Sequence, residues 1–120
     1  MLTGFGSKRM KKIGPQHRRG KRRLQFIKAL VASRQYQYSR KVQNLIQEGY
    51  FDLEDMEHCI LSARVIQKVE PDELGASFDG CKYTIIGFDT AGISFYTCGK
   101  LIRNEEAQEF YFFITAHEQQ

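Results

Sequence analysis

In the first half of the chain, apolar residues recur every three or four positions, which is the spacing of helices with one buried face. This pattern predicts a first helix over residues 21–34. Ser39 is a favourable N-cap for a second helix, and Gly49 can adopt the left-handed conformation that ends it. Asp52 and Asp55 resemble a capping box at the start of a third helix. The predicted buried positions are Leu24, Ile27, Leu30, Val31, Val42, Leu45, Ile46, Leu53, Met56, Ile60 and Ala63.

After Ala63 the apolar period falls from about 3.6 to two, which is typical of half-buried strands. The alternation predicts four strands, over residues 65–69, 82–88, 93–97 and 109–116. Glycine, proline and aspartate turn signals separate them. We therefore predict an α+β fold in which the N-terminal helices pack on one face of a four-stranded antiparallel meander.

The last predicted strand is apolar on both faces, as is typical of a central or covered strand. One set of alternate residues is predicted to face the helices: Phe110, Phe112 and Ile114. The other set is predicted to lie on the opposite face: Tyr111, Phe113, Thr115 and His117. We expect Phe112 and Ile114 to pack under the helical residues Leu45, Ile46, Met56 and Ile60.

Charge is distributed unevenly along the 120 residues, whose net charge is +4. Residues 1–23 contain nine of the eighteen Lys and Arg and no acid, whereas the remainder has nine bases and fourteen acids, a net charge of −5. Glycines and Pro15 interrupt the basic segment, which predicts a flexible arm over residues 1–20 and a single α+β domain over residues 21–120. The basic segment, residues 1–23, is predicted to bind RNA phosphates through Lys8, Arg9, Lys11, Lys12, Arg18, Arg19, Lys21, Arg22 and Arg23.

Several protein classes are disfavoured by the composition. No stretch approaches the ~18 apolar residues of a membrane span, and the basic N-terminus leads into no apolar signal segment. Three widely spaced cysteines favour a reducing cytoplasm over a disulfide scaffold. No metal-ligand spacing, phosphate loop or nucleophile elbow is present, so we expect neither a metal nor another cofactor. Cys98, near Lys100, is a candidate reactive thiol, although a strand-end cysteine without a role is the simpler interpretation.

Five short segments, taken in order, resemble a bacterial domain-of-unknown-function family. They are Ser39–Val42, Glu54–Glu57, Lys82–Gly87, Phe95–Lys100 and Ile114–His117. Members of that family are described as toxin components paired with zinc-finger antitoxins and are similar to the RelE-like messenger-RNA interferases. The resemblance covers about residues 33–118. It implies a compact α+β domain that binds RNA or the ribosome, with RNA cleavage and control by a zinc-finger antitoxin as further expectations.

The resemblance also suggests candidate catalytic residues. Lys41, Lys82 and Lys100 could stabilise phosphate charge, and His117 could transfer protons near pH 7. Many similar sequences have a histidine where this chain has Lys41. An unperturbed lysine, with a pKa of about 10.4, is a poor replacement for an imidazole.

Two classes of function are open at this point. In the first, the protein is an RNA-directed toxin or its inactive descendant, and its sheet presents Tyr83, Tyr96 and Tyr111 for base stacking. In the second, it is a non-catalytic protein-interaction domain with a basic nucleic-acid-binding arm. A targeting role for the arm is disfavoured by its few serines and its lack of an amphipathic period. The oligomeric state does not follow from the sequence.

Overall fold

The computed structural model describes residues 7–118 of the chain, with side chains from residue 20 onward. The predicted α+β class is confirmed. The helices are α1 (Ser7–Ala32), α2 (Arg40–Gln47) and α3 (Leu53–Ser62). The strands are β1 (Tyr36–Tyr38), β2 (Lys68–Pro71), β3 (Cys81–Phe88), β4 (Ser94–Arg103) and β5 (Glu109–Glu118). Within this part of the chain, no helix is long and apolar enough to cross a membrane.

The sheet has one strand more than predicted. Its order is β1-β5-β4-β3-β2, in which β2 to β5 form the predicted antiparallel meander. The additional strand, β1, pairs in parallel with β5, so the prediction of four strands is wrong. Three residues are too few to produce a recognisable alternation, which is why the hydrophobic pattern predicts no strand there.

Helix α1 begins at Ser7, much earlier than the predicted start at residue 21. Lysine and arginine are good helix formers, so a basic segment can continue a helix without an apolar period. Residues 7–20 of the predicted arm therefore belong to this helix, and residues 1–6 lie outside the described residues. At the other end, Arg34 adopts a positive φ of 61° and Gln35 N–H donates to the carbonyl of Leu30, which closes a Schellman motif.

The predicted start and end of α2 and the predicted start of α3 are confirmed. The Ser39 hydroxyl accepts a hydrogen bond from Val42 N–H at 3.2 Å, and Gly49 ends α2 with a φ of 86°. The capping box of α3 is present, and the Asp55 carboxylate accepts Asp52 N–H at 2.9 Å. Hydrogen bonds between residues close together in the sequence set these boundaries, so short sequence motifs predict them well.

The core lies between the three helices and one face of the sheet. Most predicted helical positions are buried in it, while Leu45, Ile46 and Leu53 pack partly buried against it. The strands contribute alternate residues on the side that faces the helices: Tyr83, Ile85, Phe95, Leu101, Tyr111 and Phe113.

The predicted orientation is wrong for the first part of the last strand, whereas Thr115 and His117 lie opposite the helices as predicted, because they pair with Cys98 and Tyr96 beyond a register shift. Tyr111 and Phe113 are fully buried against the helices, whereas Phe112 and Ile114 are only half-buried. A register shift between Cys98 and Gly99 leaves Ile114 without a partner on β4. Since both faces of β5 are apolar, this irregularity and the pairing with β1 set the orientation, and the hydrophobic pattern does not.

The hydroxyl of Tyr111 is a buried polar group without a hydrogen-bond partner in the described part of the chain. Its ring lies against Gly99, where no side chain intervenes. Burial raises the pKa of this tyrosine well above its usual range, so the hydroxyl stays protonated and unsatisfied.

We expect Tyr111→Phe to raise the free energy of unfolding by about 1 kcal/mol, because it removes an unpaired buried hydroxyl and keeps the ring. Urea denaturation of both proteins measures the change. Tyr36→Phe is the control: this hydroxyl donates to the Glu57 carboxylate, and its removal should destabilise the fold by about 1 kcal/mol. A loss of stability in Tyr111→Phe would contradict the expected result.

Candidate functional site

A groove of about 1020 Å³ is a concave surface in the described part of the chain. It lies between the second half of α1 and the segment that joins α3 to β2. Five cationic side chains line it, and they come from three separate elements: Lys21, Arg22, Arg23, Arg64 and Lys68. We call this surface the basic groove.

The basic groove keeps a clear positive excess after its internal ion pairs are counted. Asp79 is the one acid that lines it among the described residues, and this carboxylate lies 3.8 Å from Arg23 and accepts the Tyr83 hydroxyl. Lys68 pairs with Glu70 at 3.2 Å. In the described region, the three remaining cations have no ion pair: Lys21, Arg22 and Arg64.

The walls of the groove also expose apolar surface. Val65 and Val69 are about half exposed, at 50% and 56%, and Phe26 and Ile66 are half-buried beside them. A cationic rim with apolar patches suits a ligand that combines anionic groups with flat or apolar ones.

The sheet face opposite the helices forms a second surface, which we call the open face. The strand pairing aligns Ile86, Tyr96 and His117 in one row across β3, β4 and β5. The rings of Tyr96 and His117 are stacked, with centroids 4.6 Å apart and planes 17° apart. Phe88, half exposed, lies one row further towards the β3–β4 hairpin.

The predicted catalytic residues are divided between two places. His117 is exposed and lines a hollow of about 300 Å³ with Leu45. Lys41 is exposed on α2 one helical turn before Leu45, so these two candidates lie near the same end of β5. Lys82 and Lys100 lie four residues along their strands from the row of His117, which corresponds to about 13 Å. The four residues therefore do not surround one phosphate.

Lys100 has a structural role. It is nearly buried, donates to the Gly75 carbonyl at 2.9 Å, and pairs with Asp72 at 3.4 Å. Burial also raises the pKa of the Cys98 thiol, although Lys82 acts in the opposite direction. These contacts do not support a reactive thiol at Cys98.

Two of the three tyrosines predicted to stack on bases are unavailable. Tyr83 and Tyr111 are buried against the helices, so they belong to the core, and the prediction for them is wrong. Tyr83 and Tyr111 occupy the alternate strand positions that face the helices, whereas Tyr96 occupies a position on the other face. The sequence alone does not show which alternate set the helices cover. Tyr96 is half-buried on the open face, where its ring is accessible beside His117.

The predicted arm residues have mixed outcomes. Lys21, Arg22 and Arg23 line the basic groove, whereas the side chains of Lys8, Arg9, Lys11, Lys12, Arg18 and Arg19 lie outside the described residues. The sequence pattern does not indicate Arg64 and Lys68, because only the tertiary fold places them beside α1.

No group of three His, Cys, Asp or Glu residues that could hold a metal ion occurs in the part of the chain that the structure describes.

Comparisons with protein-family models, curated proteins and solved structures find no match to this chain.

Proposed function

We propose that this protein binds RNA through the basic groove and the basic helix α1. The observation that carries the proposal is the groove itself, in which five cations face one acid that is already engaged by Arg23 and Tyr83. Upstream of the groove, the same helix continues through a segment that has six further Lys and Arg between residues 8 and 19 and no acid. A groove with this excess of cations, next to an acid-free basic segment of the sequence, is the electrostatic pattern of a phosphate-binding surface.

The physical basis of such binding is the release of counterions from the phosphate backbone. For single strands, each phosphate that a cation neutralises steepens the decrease of log K with log salt by about 0.7. If about five cations contact phosphates, the slope should be near −3.5. The rest of the chain, from residue 24 onward, is net negative, so the affinity depends on where the cations lie and not on the overall charge.

The proposal is restricted to binding. Cleavage would require a base, a proton donor and cations around one phosphate. Lys82 and Lys100 lie far from His117 along the sheet, and Lys100 is already held by Asp72. A zinc-finger antitoxin stays a prediction of the family resemblance.

We expect the double variant Arg22→Ala/Arg64→Ala to bind a short single-stranded RNA several-fold more weakly than the wild type. Its salt slope should be shallower by about 1.4, since two phosphate contacts are lost. Fluorescence anisotropy of a 5′-labelled oligouridylate, titrated at several salt concentrations, measures both quantities. Both side chains are exposed, so the fold should tolerate the changes.

The matched control is Arg40→Ala/Arg103→Ala, which removes two exposed cations outside the groove, one on α2 and one at the end of β4. We expect this control to retain the wild-type slope. Equal losses in the two double variants would show that only net charge matters and would contradict a groove-specific contact. A denaturing gel of the same RNA after incubation tests cleavage separately.

A further inference from the structure

We propose that the open face is a stacking platform for unpaired bases of the bound RNA, formed by Phe88, Tyr96 and His117. This inference rests on the proposed RNA binding and adds a second contact surface to it. It also specifies the ligand as single-stranded, because the bases of a duplex are stacked on one another and cannot lie flat on a protein surface.

The geometry of the rings supports a platform. Tyr96 and His117 are direct cross-strand neighbours that already stack nearly parallel, so a base can extend this stack on the outer face of either ring. Phe88 pairs with Ser94, which makes it the diagonal neighbour of Tyr96 on the same face, and such neighbours are about 7–8 Å apart. The three rings therefore lie on adjacent strands at spacings that successive bases can follow.

The exposure of these rings is unusual for a structural role. The three helices cover the other face of the sheet, and half of the Phe88 side chain remains exposed. His117 is exposed as well; its ring stacks on Tyr96, and its Nδ1 lies 3.1 Å from the Glu118 carbonyl. Aromatic rings that are not needed for the core can contribute to binding instead, since every base has a π-face.

Two lysines lie between the platform and the basic groove. Lys68 lines the groove and pairs with Thr84, which lies in the row next to Ile86, Tyr96 and His117. Lys82 lies on the same face opposite Glu70, the acid that pairs with Lys68, so these three residues keep one positive charge in excess. One strand of RNA can therefore follow cations around the β2 edge, from the groove to the platform, and this continuity favours a nucleic acid as the occupant of the face.

The test uses the full chain with the changes Phe88→Ala and His117→Ala, singly and combined. We expect the double variant to bind the labelled oligouridylate about ten-fold more weakly than the wild type. Its salt slope should be unchanged, because stacking involves no phosphate charge, and the affinity for a blunt-ended RNA duplex should change little. His117→Phe should restore much of the binding lost in His117→Ala, because it returns an aromatic ring. Leu61→Ala, an exposed apolar residue on α3, serves as the control.

The outcomes separate this inference from the proposed function. Wild-type affinity in the Phe88/His117 double variant, together with weakened binding in the groove variant, would overturn the platform and leave the groove intact. Wild-type affinity in both sets, or no RNA binding by the wild type, would overturn both. Sedimentation of the wild type provides a further check. A dimer that dissociates in the Phe88/His117 variant would assign the open face to a second copy of the chain and would also overturn the platform.

Discussion

Replacement of Phe113 by alanine is expected to lower the free energy of unfolding by about 3–5 kcal/mol. The Phe113 side chain is fully buried between the helices and the sheet, where its ring makes edge contacts with Tyr36 and Tyr111 at centroid distances of 5.5 and 5.1 Å. Truncation would leave a cavity at the place where β1 joins β5. Since domains of this size are stable by about 5–15 kcal/mol, the variant should unfold at much lower urea concentration or fail to fold.

Phe112→Ala is the matched control, because it removes the same side chain from the adjacent position. Phe112 is half-buried on the open face, so we expect its loss to cost at least about 1 kcal/mol less than the loss of Phe113. Urea unfolding followed by circular dichroism compares the two variants. A larger loss in Phe112→Ala would mean that the orientation of β5 is opposite to the one described.

This pair of residues also shows where the sequence stops being informative. Helix ends depend on neighbours in the chain, and Ser39, Gly49 and the Asp52–Asp55 box predict them correctly. The face of a strand depends on partners far away in the chain. With apolar residues at every position from Phe110 to Ile114, a shift of one residue leaves the hydrophobic pattern almost unchanged. Only the irregularity opposite Gly99 and the pairing with β1 decide the orientation.

The candidate site was predictable only in part, for the same reason. The acid-free basic segment is visible in the sequence, and three of its residues line the groove. Arg64 and Lys68, in contrast, belong to a segment that is not unusually basic, and they reach the groove because β2 pairs with β3 beside α1. The stacked pair of Tyr96 and His117 likewise depends on the register between β4 and β5.

The second large effect is expected at Gly87, where β3 passes very close to α3. A Cβ atom at this position would lie 2.0 Å from the carbonyl oxygen of Cys59 and 2.8 Å from the Ser62 hydroxyl. The first of these atoms belongs to the helix backbone and cannot rotate away, so the helix or the strand must move. We expect Gly87→Ala to lower the free energy of unfolding by about 3 kcal/mol, which is the upper end of the usual cost of overpacking.

Gly20→Ala is the control for this change, because it adds the same methyl group where no atom lies within 4 Å. Gly20 is inside α1, so alanine should stabilise the chain by about 0.5–1 kcal/mol through its higher helix propensity. Thermal unfolding of both variants gives the comparison, and equal stabilities would contradict the close approach of β3 to α3.

Gly87 also lies between Ile86 and Phe88, whose side chains point to the open face. A displacement of β3 in Gly87→Ala should therefore weaken the binding of single-stranded RNA in any molecules that still fold, with no loss of groove charge and no change in salt slope.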